Sequence, residues 1–165
     1  MFGKKPIQLL ISRQSVNHGT NPKAYKQNSF PRTAPLIYYI EENNQYKPIL
    51  DKLFLANSKS KFMFQTSVIT LLEVLVLPMR QNEQQLVEQY QNILCNSPTI
   101  NIFELNIEIA KRAASLRAKY GLPTPDSIQI ATAIYGSSEY FLTNDIRLKA
   151  VKEIEMLFLN ELIPV

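Results

Sequence analysis

Hydrophobic and polar positions fall into two regimes that meet near residue 32. Residues 1–31 show no sustained periodicity, and Gly3, Pro6, Gly19, Pro22 and Pro31 punctuate them. This stretch reads as a mostly disordered extension with one weak apolar patch, Ile7 to Ile11. From residue 33 the spacing turns regular. Pro35 to Glu42 predicts a short helix, and Tyr46 to Ala56 a second, with Ile49, Leu50, Leu53 and Phe54 at helical intervals. Lys61 to Gln65 is short and aromatic, as a buried strand is. Thr66 or Ser67 then caps a helix through Val68–Val76. Residues 82–95 predict an amphipathic helix, Thr99 to Glu104 a strand, and Asn106 to Tyr120 a helix stopped by Gly121. Pro125 to Tyr135 follows as a helix with Thr124 as its N-cap and Pro125 as its first residue. Tyr140 to Thr143 is a strand, a short helix starts at Asp145, and Met156 to Leu159 is the last strand.

Short strands alternating with helices predict an α/β three-layer sandwich with a central, mainly parallel sheet and right-handed crossovers. The 165 residues suit one domain, expected over 32–165.

Composition narrows the chemistry. One cysteine, Cys95, permits no internal disulfide, which suits a cytoplasmic setting. His18 is the one histidine, so no Cys/His metal cluster can be built, and nucleophilic catalysis would have to rest on a residue of the irregular extension. No apolar run reaches the roughly 20 residues of a membrane-spanning helix, and Ile7 to Ile11, broken by Gln8, is shorter than a secretory core. The four glycines form no phosphate-binding loop, which argues against a dinucleotide site. The net charge of +4 is uneven: residues 1–32 hold six basic residues and no acid, and the remainder holds twelve basic and fourteen acidic residues, a net of −2. A basic tail attracts nucleic acid or is simply solvated.

Three carboxylates stand out. Glu73 interrupts the nearly apolar Val68–Val76, and a buried carboxylate needs a partner: a Lys or Arg, water along one side of the helix, or a metal ion. Asp126 lies in the first turn of a helix, where the dipole favours it by ~0.3–1 kcal/mol and also keeps it ionised for a cation. Asp145 follows a strand, where α/β sheets place their ligand crevice, and it also starts a helix as a cap. Carboxylates converging without usable histidine or cysteine favour Mg²⁺ or Mn²⁺, ions that can activate water and align a phosphodiester.

The order and context of these motifs resemble the PIN domain, especially toxins of the VapC type. The matching text is Thr33 to Glu41, Thr66 to Val74, Ala114 to Ala133 and Phe141 to Asp145. The resemblance spans about residues 32–160 and implies a metal-dependent endoribonuclease, the toxin of a toxin–antitoxin pair. It implies Mg²⁺ or Mn²⁺ held by Glu73, Asp126 and Asp145, with Thr143 positioning metal-bound water or an acidic side chain. It also implies an RNA substrate, a small antitoxin occupying the cleft, and a homodimer. Arg117 and Lys119 could approach RNA phosphates or stay solvated on their helix. One departure accompanies the match. Arg32 stands where the family carries its first acidic ligand, and a guanidinium there repels a divalent cation. Gln27 to Pro31 before it do not read as the expected first central strand, because proline removes a ladder hydrogen bond. That strand is therefore degenerate or missing. Residues 7–11 could fill its slot only across a long connection to Thr33. The alternative reading is an inactive remnant that binds an antitoxin or RNA.

Overall fold

The computed structural model describes residues 9–12, 33–59 and 61–162. Helices α1 (Thr33–Ile40) and α2 (Lys47–Ser58) precede strand β2 (Met63–Ser67), which runs directly into α3 (Val68–Gln81). Then come α4 (Gln84–Asn96), β3 (Ile100–Phe103), α5 (Ile107–Tyr120), α6 (Thr124–Tyr135), β4 (Tyr140–Thr143), a 3-10 turn at Ile146–Ala150, β5 (Glu155–Phe158) and a last 3-10 turn at Leu159–Leu162. Strand β1 is Leu9–Ser12.

β2 pairs with β3 and β4 with β5, both in parallel. β1 pairs with β2 in the opposite direction, Leu9 opposite Thr66 and Ser12 opposite Met63, and it also lies alongside β4. Residues 9–12 of the apolar patch thus form the edge strand of the three-stranded sheet β1-β2-β3, antiparallel to β2, with β4 of the two-stranded sheet β4-β5 alongside. The first residue of β1, not its last, lies at the end where β2 meets α3. Arg32 and the segment Gln27 to Pro31 lie outside the described residues, as does the rest of the extension apart from β1.

Alternation along β2 fixes the layers. Phe64 points to one face and packs on Phe54 of α2, ring centroids 4.9 Å apart. Its neighbour Gln65 points to the other, where its amide nitrogen donates to the Gly136 carbonyl at the end of α6 (3.1 Å). Helices α2 and α6 therefore cover opposite faces, the three-layer α/β sandwich that the pattern predicts. Leu36, Leu50, Phe64, Ile109, Ile130, Phe141 and Leu159 are fully buried at its centre. Asn57, buried at the end of α2, ties the layers: its amide donates to the carbonyls of Phe62 and Thr99 (3.0 Å each), and its oxygen accepts from the Thr99 hydroxyl (2.6 Å).

The ends of α5 follow their local chemistry, whereas Ser67 starts α3 without a side-chain cap bond and the start of α6 is shifted. The Asn106 side chain accepts from the Ile109 N–H (2.9 Å) at the start of α5, and Gly121, at φ 65°, closes it in the left-handed conformation. At α6 the N-cap is Pro123, in extended backbone, so Thr124 and Pro125 are the first two helical residues rather than cap and first residue. The cause is local: with Thr124 already helical, the Ser127 hydroxyl donates to the Thr124 carbonyl (2.9 Å) and the Ser127 N–H to that of Pro123 (3.0 Å). Among the described residues no helix is long and apolar enough to cross a membrane.

Candidate active site

Helix α6 organises the acidic residues. Its first turn carries Asp126, buried to 7% exposure, and Gln129 follows one turn later on the same face at 1%. Gln129 reaches α3. Its amide oxygen accepts from the Thr70 hydroxyl at 3.0 Å, and its amide nitrogen donates to the Glu73 carboxylate at a longer 3.4 Å. Thr70 and Glu73 are themselves three residues apart on α3, so one amide engages a matched pair across the helix–helix contact. Glu73 is half-buried at the margin of α3, with Thr70, Val74 and Pro78 facing inward.

The second group follows β4. Thr143, fully buried, ends the strand, and its hydroxyl accepts from the Asp145 N–H (3.0 Å). Asp145 caps the 3-10 turn by accepting from the Arg147 N–H (2.9 Å). Arg147 also folds its guanidinium back on Asp145: Nε donates to both carboxylate oxygens at 2.9 Å, and a terminal nitrogen forms a close ion pair with one of them. The Asp145 side chain is 8% exposed and that of Arg147 70%. The hydrogen bond to Asp145, then its charge, and further the charge of Asp126 push the Arg147 pKa up, while slight burial opposes. The guanidinium therefore lies in the field of two of the three predicted ligands.

Asp126, Asp145 and Thr143 thus share a neighbourhood through Arg147, and Glu73 joins Asp126 through Gln129. The donor set is hard oxygen throughout, the chemistry that Mg²⁺ and Mn²⁺ select. With Arg147 folded onto Asp145, the carboxylates are not gathered around an ion position. Among the described residues no three acidic, histidine or cysteine side chains lie close enough together to hold one, and both Asp145 oxygens face a guanidinium. Glu41, nine residues beyond Arg32, is directed elsewhere: it accepts from the Tyr90 hydroxyl on α4 (3.4 Å).

The two predicted RNA contacts on α5 differ. Arg117 is exposed. Lys119 is committed locally, with its ammonium 2.9 Å from the Glu153 carboxylate and over the Tyr120 ring. Burial works against ionising Glu153, yet hydrogen bonds from Lys119, Tyr120 and backbone N–H groups outweigh it and bring its pKa down to about 2. Sequence reasoning misses Thr70, Gln129 and Arg147. The recoverable signal was spacing: Thr70 lies three residues before Glu73, Gln129 three after Asp126, and Arg147 two after Asp145.

The PIN domain family model matches residues 33–154. The chain belongs to the PIN domain family. A search of curated proteins gives no match. Among solved structures, the chain is similar to VapBC2 from Rickettsia felis bound to a DNA fragment from their promoter, at 16% identity and TM-score 0.60, over 76% of this chain and 94% of that one. It is also similar to a toxin-antitoxin complex from Klebsiella pneumoniae, at 28% identity and TM-score 0.44, over 53% and 68%. The Rickettsia likeness agrees with the PIN fold described above. Within the PIN match, Thr33 to Ile154, lie Glu73, Asp126, Thr143 and Asp145. Strand β1 lies outside it.

Proposed function

We propose that this PIN domain is a toxin-type endoribonuclease whose Mg²⁺- or Mn²⁺-dependent activity is impaired as the chain stands. The observation that most supports the reading is the Arg147 guanidinium on Asp145, in the field of Asp126, with Gln129 joining the same helix α6 to Glu73. The family resemblance supports RNA as substrate, with Glu73, Asp126 and Asp145 as the metal-facing carboxylates and Thr143 as their hydroxyl neighbour. Arg32 in place of a fourth acid supports the impairment. Arg117 is the better of the two candidate phosphate contacts, because Lys119 is engaged by Glu153. A small antitoxin is the expected protein partner, on the VapC-type resemblance. A second copy of the chain is supported by α3, which leaves Leu72, Val76 and Met79 exposed at helical spacing of four and three residues.

The second reading, a binding module without catalysis, is favoured by the Arg147–Asp145 pairing and by the reversed β1. An assay on structured RNA with Mg²⁺, using EDTA as control, separates the two for the native chain and Arg32→Asp. The expected result is a weak or silent native chain and a variant at least tenfold more active, with EDTA abolishing the gain. Silence of both, with the variant folded, would overturn the ribonuclease reading and leave binding.

A further inference from the structure

On the face of the sheet away from the acidic site, α2 packs on β2 through Phe54 but leaves a groove beside β4 and β5. Its residues along that groove include Ile49, Lys52, Leu53 and Ala56, one helical face. Opposite stand Tyr140 and Leu142 of β4 beside Glu155 and Leu157 of β5, brought side by side by the parallel register. Between them lies a cavity of about 610 Å³, bounded at its ends by Phe62 and Leu162. Protein interiors are close-packed, and a helix on a sheet with leucines on both sides ordinarily leaves no such space. The volume falls within the roughly 300–1,000 Å³ of small-molecule sites.

The lining says what chemistry fits. The walls are aliphatic and aromatic, suited to a hydrocarbon body. Lys52, Lys59 and Lys61 line it against a single carboxylate, Glu155. Among the described residues neither Lys52 nor Lys59 forms an ion pair, although Lys47 one turn earlier on α2 pairs with Glu42 and Asp51. We infer that this cavity binds a small amphipathic anion, an aliphatic chain ending in a carboxylate or like head group, with its tail between Leu53 and Leu157 and its charge at Lys52 and Lys59. The site is independent of the acidic crevice: Leu142 and Thr143 are successive strand residues and face opposite sides of the sheet.

The test is calorimetric titration of the full chain with decanoate and with decanol, both kept below self-association. Three variants accompany it: the double charge reversal Lys52→Glu/Lys59→Glu, the cavity-filling Ala56→Trp, and a chain ending at Leu162. The expected result is saturable decanoate binding with one site, at least tenfold weaker binding of decanol, and at least tenfold loss in the charge-reversed variant. Ala56→Trp should abolish binding with an unchanged circular dichroism spectrum; should it unfold, the surface lysine variant still decides. Absence of saturable binding to the native chain overturns the proposal, as does binding that neither variant weakens. Equal binding of decanol overturns the anionic part. Decanoate binding at least tenfold tighter to the chain ending at Leu162 would make residues 163–165 the resident occupant and overturn a small-molecule site.

Discussion

Arg147 and Asp145 are two residues apart, and the pairing costs the chain little: the backbone N–H of Arg147 already caps onto the same carboxylate, so the side chain needs only to fold back. A guanidinium offers a planar fork matched to two oxygens, which a divalent ion approaching Asp145 would have to displace. The backbone cap survives Arg147→Ala. We therefore expect Arg147→Ala to tighten Mn²⁺ binding at least threefold, read as a larger Mn²⁺-dependent rise in melting temperature than the native chain shows. An unchanged response would mean that Arg147 does not compete with the ion. Asp145 was legible in the sequence as the end of a strand, and so was its double life as a cap. The clamp was not, because an arginine in a polar turn carries no mark of where its long side chain will fold.

At the scale of elements, α3 joins two tasks on two sides. Thr70, Val74 and Pro78 face the core, Glu73 lies at the margin toward α6, and Leu72, Val76 and Met79 face outward. An apolar stripe of this spacing on a charged molecule suits burial against a like stripe. Val76→Glu should shift the 19.0 kDa chain from dimer to monomer in light scattering after size exclusion, raising the dissociation constant at least tenfold. A native chain that is already monomeric would remove the homodimer from the reading. Elements with strong local signals were legible almost to the residue: α5 between Asn106 and Gly121, β4 from Tyr140 to Thr143. Helix α3 outruns its predicted end at Val76 because Pro78 removes only its own N–H, and the helix continues to Gln81 before Asn82 turns left-handed. β1 was barely legible. Four residues in a polar stretch have no periodicity to read, and their partner Met63–Ser67 lies more than fifty residues away, so pairing and direction are decided by tertiary context. Gln129 was illegible for another reason: an amide among Ile128, Ile130 and Ala131 gives no hint which helix it will meet.

For the molecule as a whole, Glu153 links the C-terminal part of the sheet to α5 by accepting from Lys119 at 2.9 Å and Tyr120 at 2.8 Å. Its pKa in the fold is about 2 against an ordinary 4.5, so the unfolded chain takes up its proton first as pH falls. The stability this contact contributes is fully present above pH 4.5 and is lost between there and about pH 2. Urea unfolding of the native chain should show this decline, and Glu153→Gln should be less stable at pH 7 with a flatter dependence over that window. Parallel curves would mean that the pairing contributes nothing. Tyr90 does not enter this range, since burial first, and then the Glu41 carboxylate, hold its phenol protonated well above neutrality.

The family match begins at Thr33, and a chain cut there would look like a complete domain. It would lack Leu9–Ser12. Without that strand, β2 loses its antiparallel neighbour and becomes an open edge, with unpaired N–H and C=O groups from Met63 to Thr66. An exposed edge of that kind recruits strands from other molecules. The shortened chain should aggregate on expression while the full chain stays dispersed, as a sedimentation assay of both would show. The short N-terminal strand then acts as a built-in guard against self-association, whatever the fate of the acidic site.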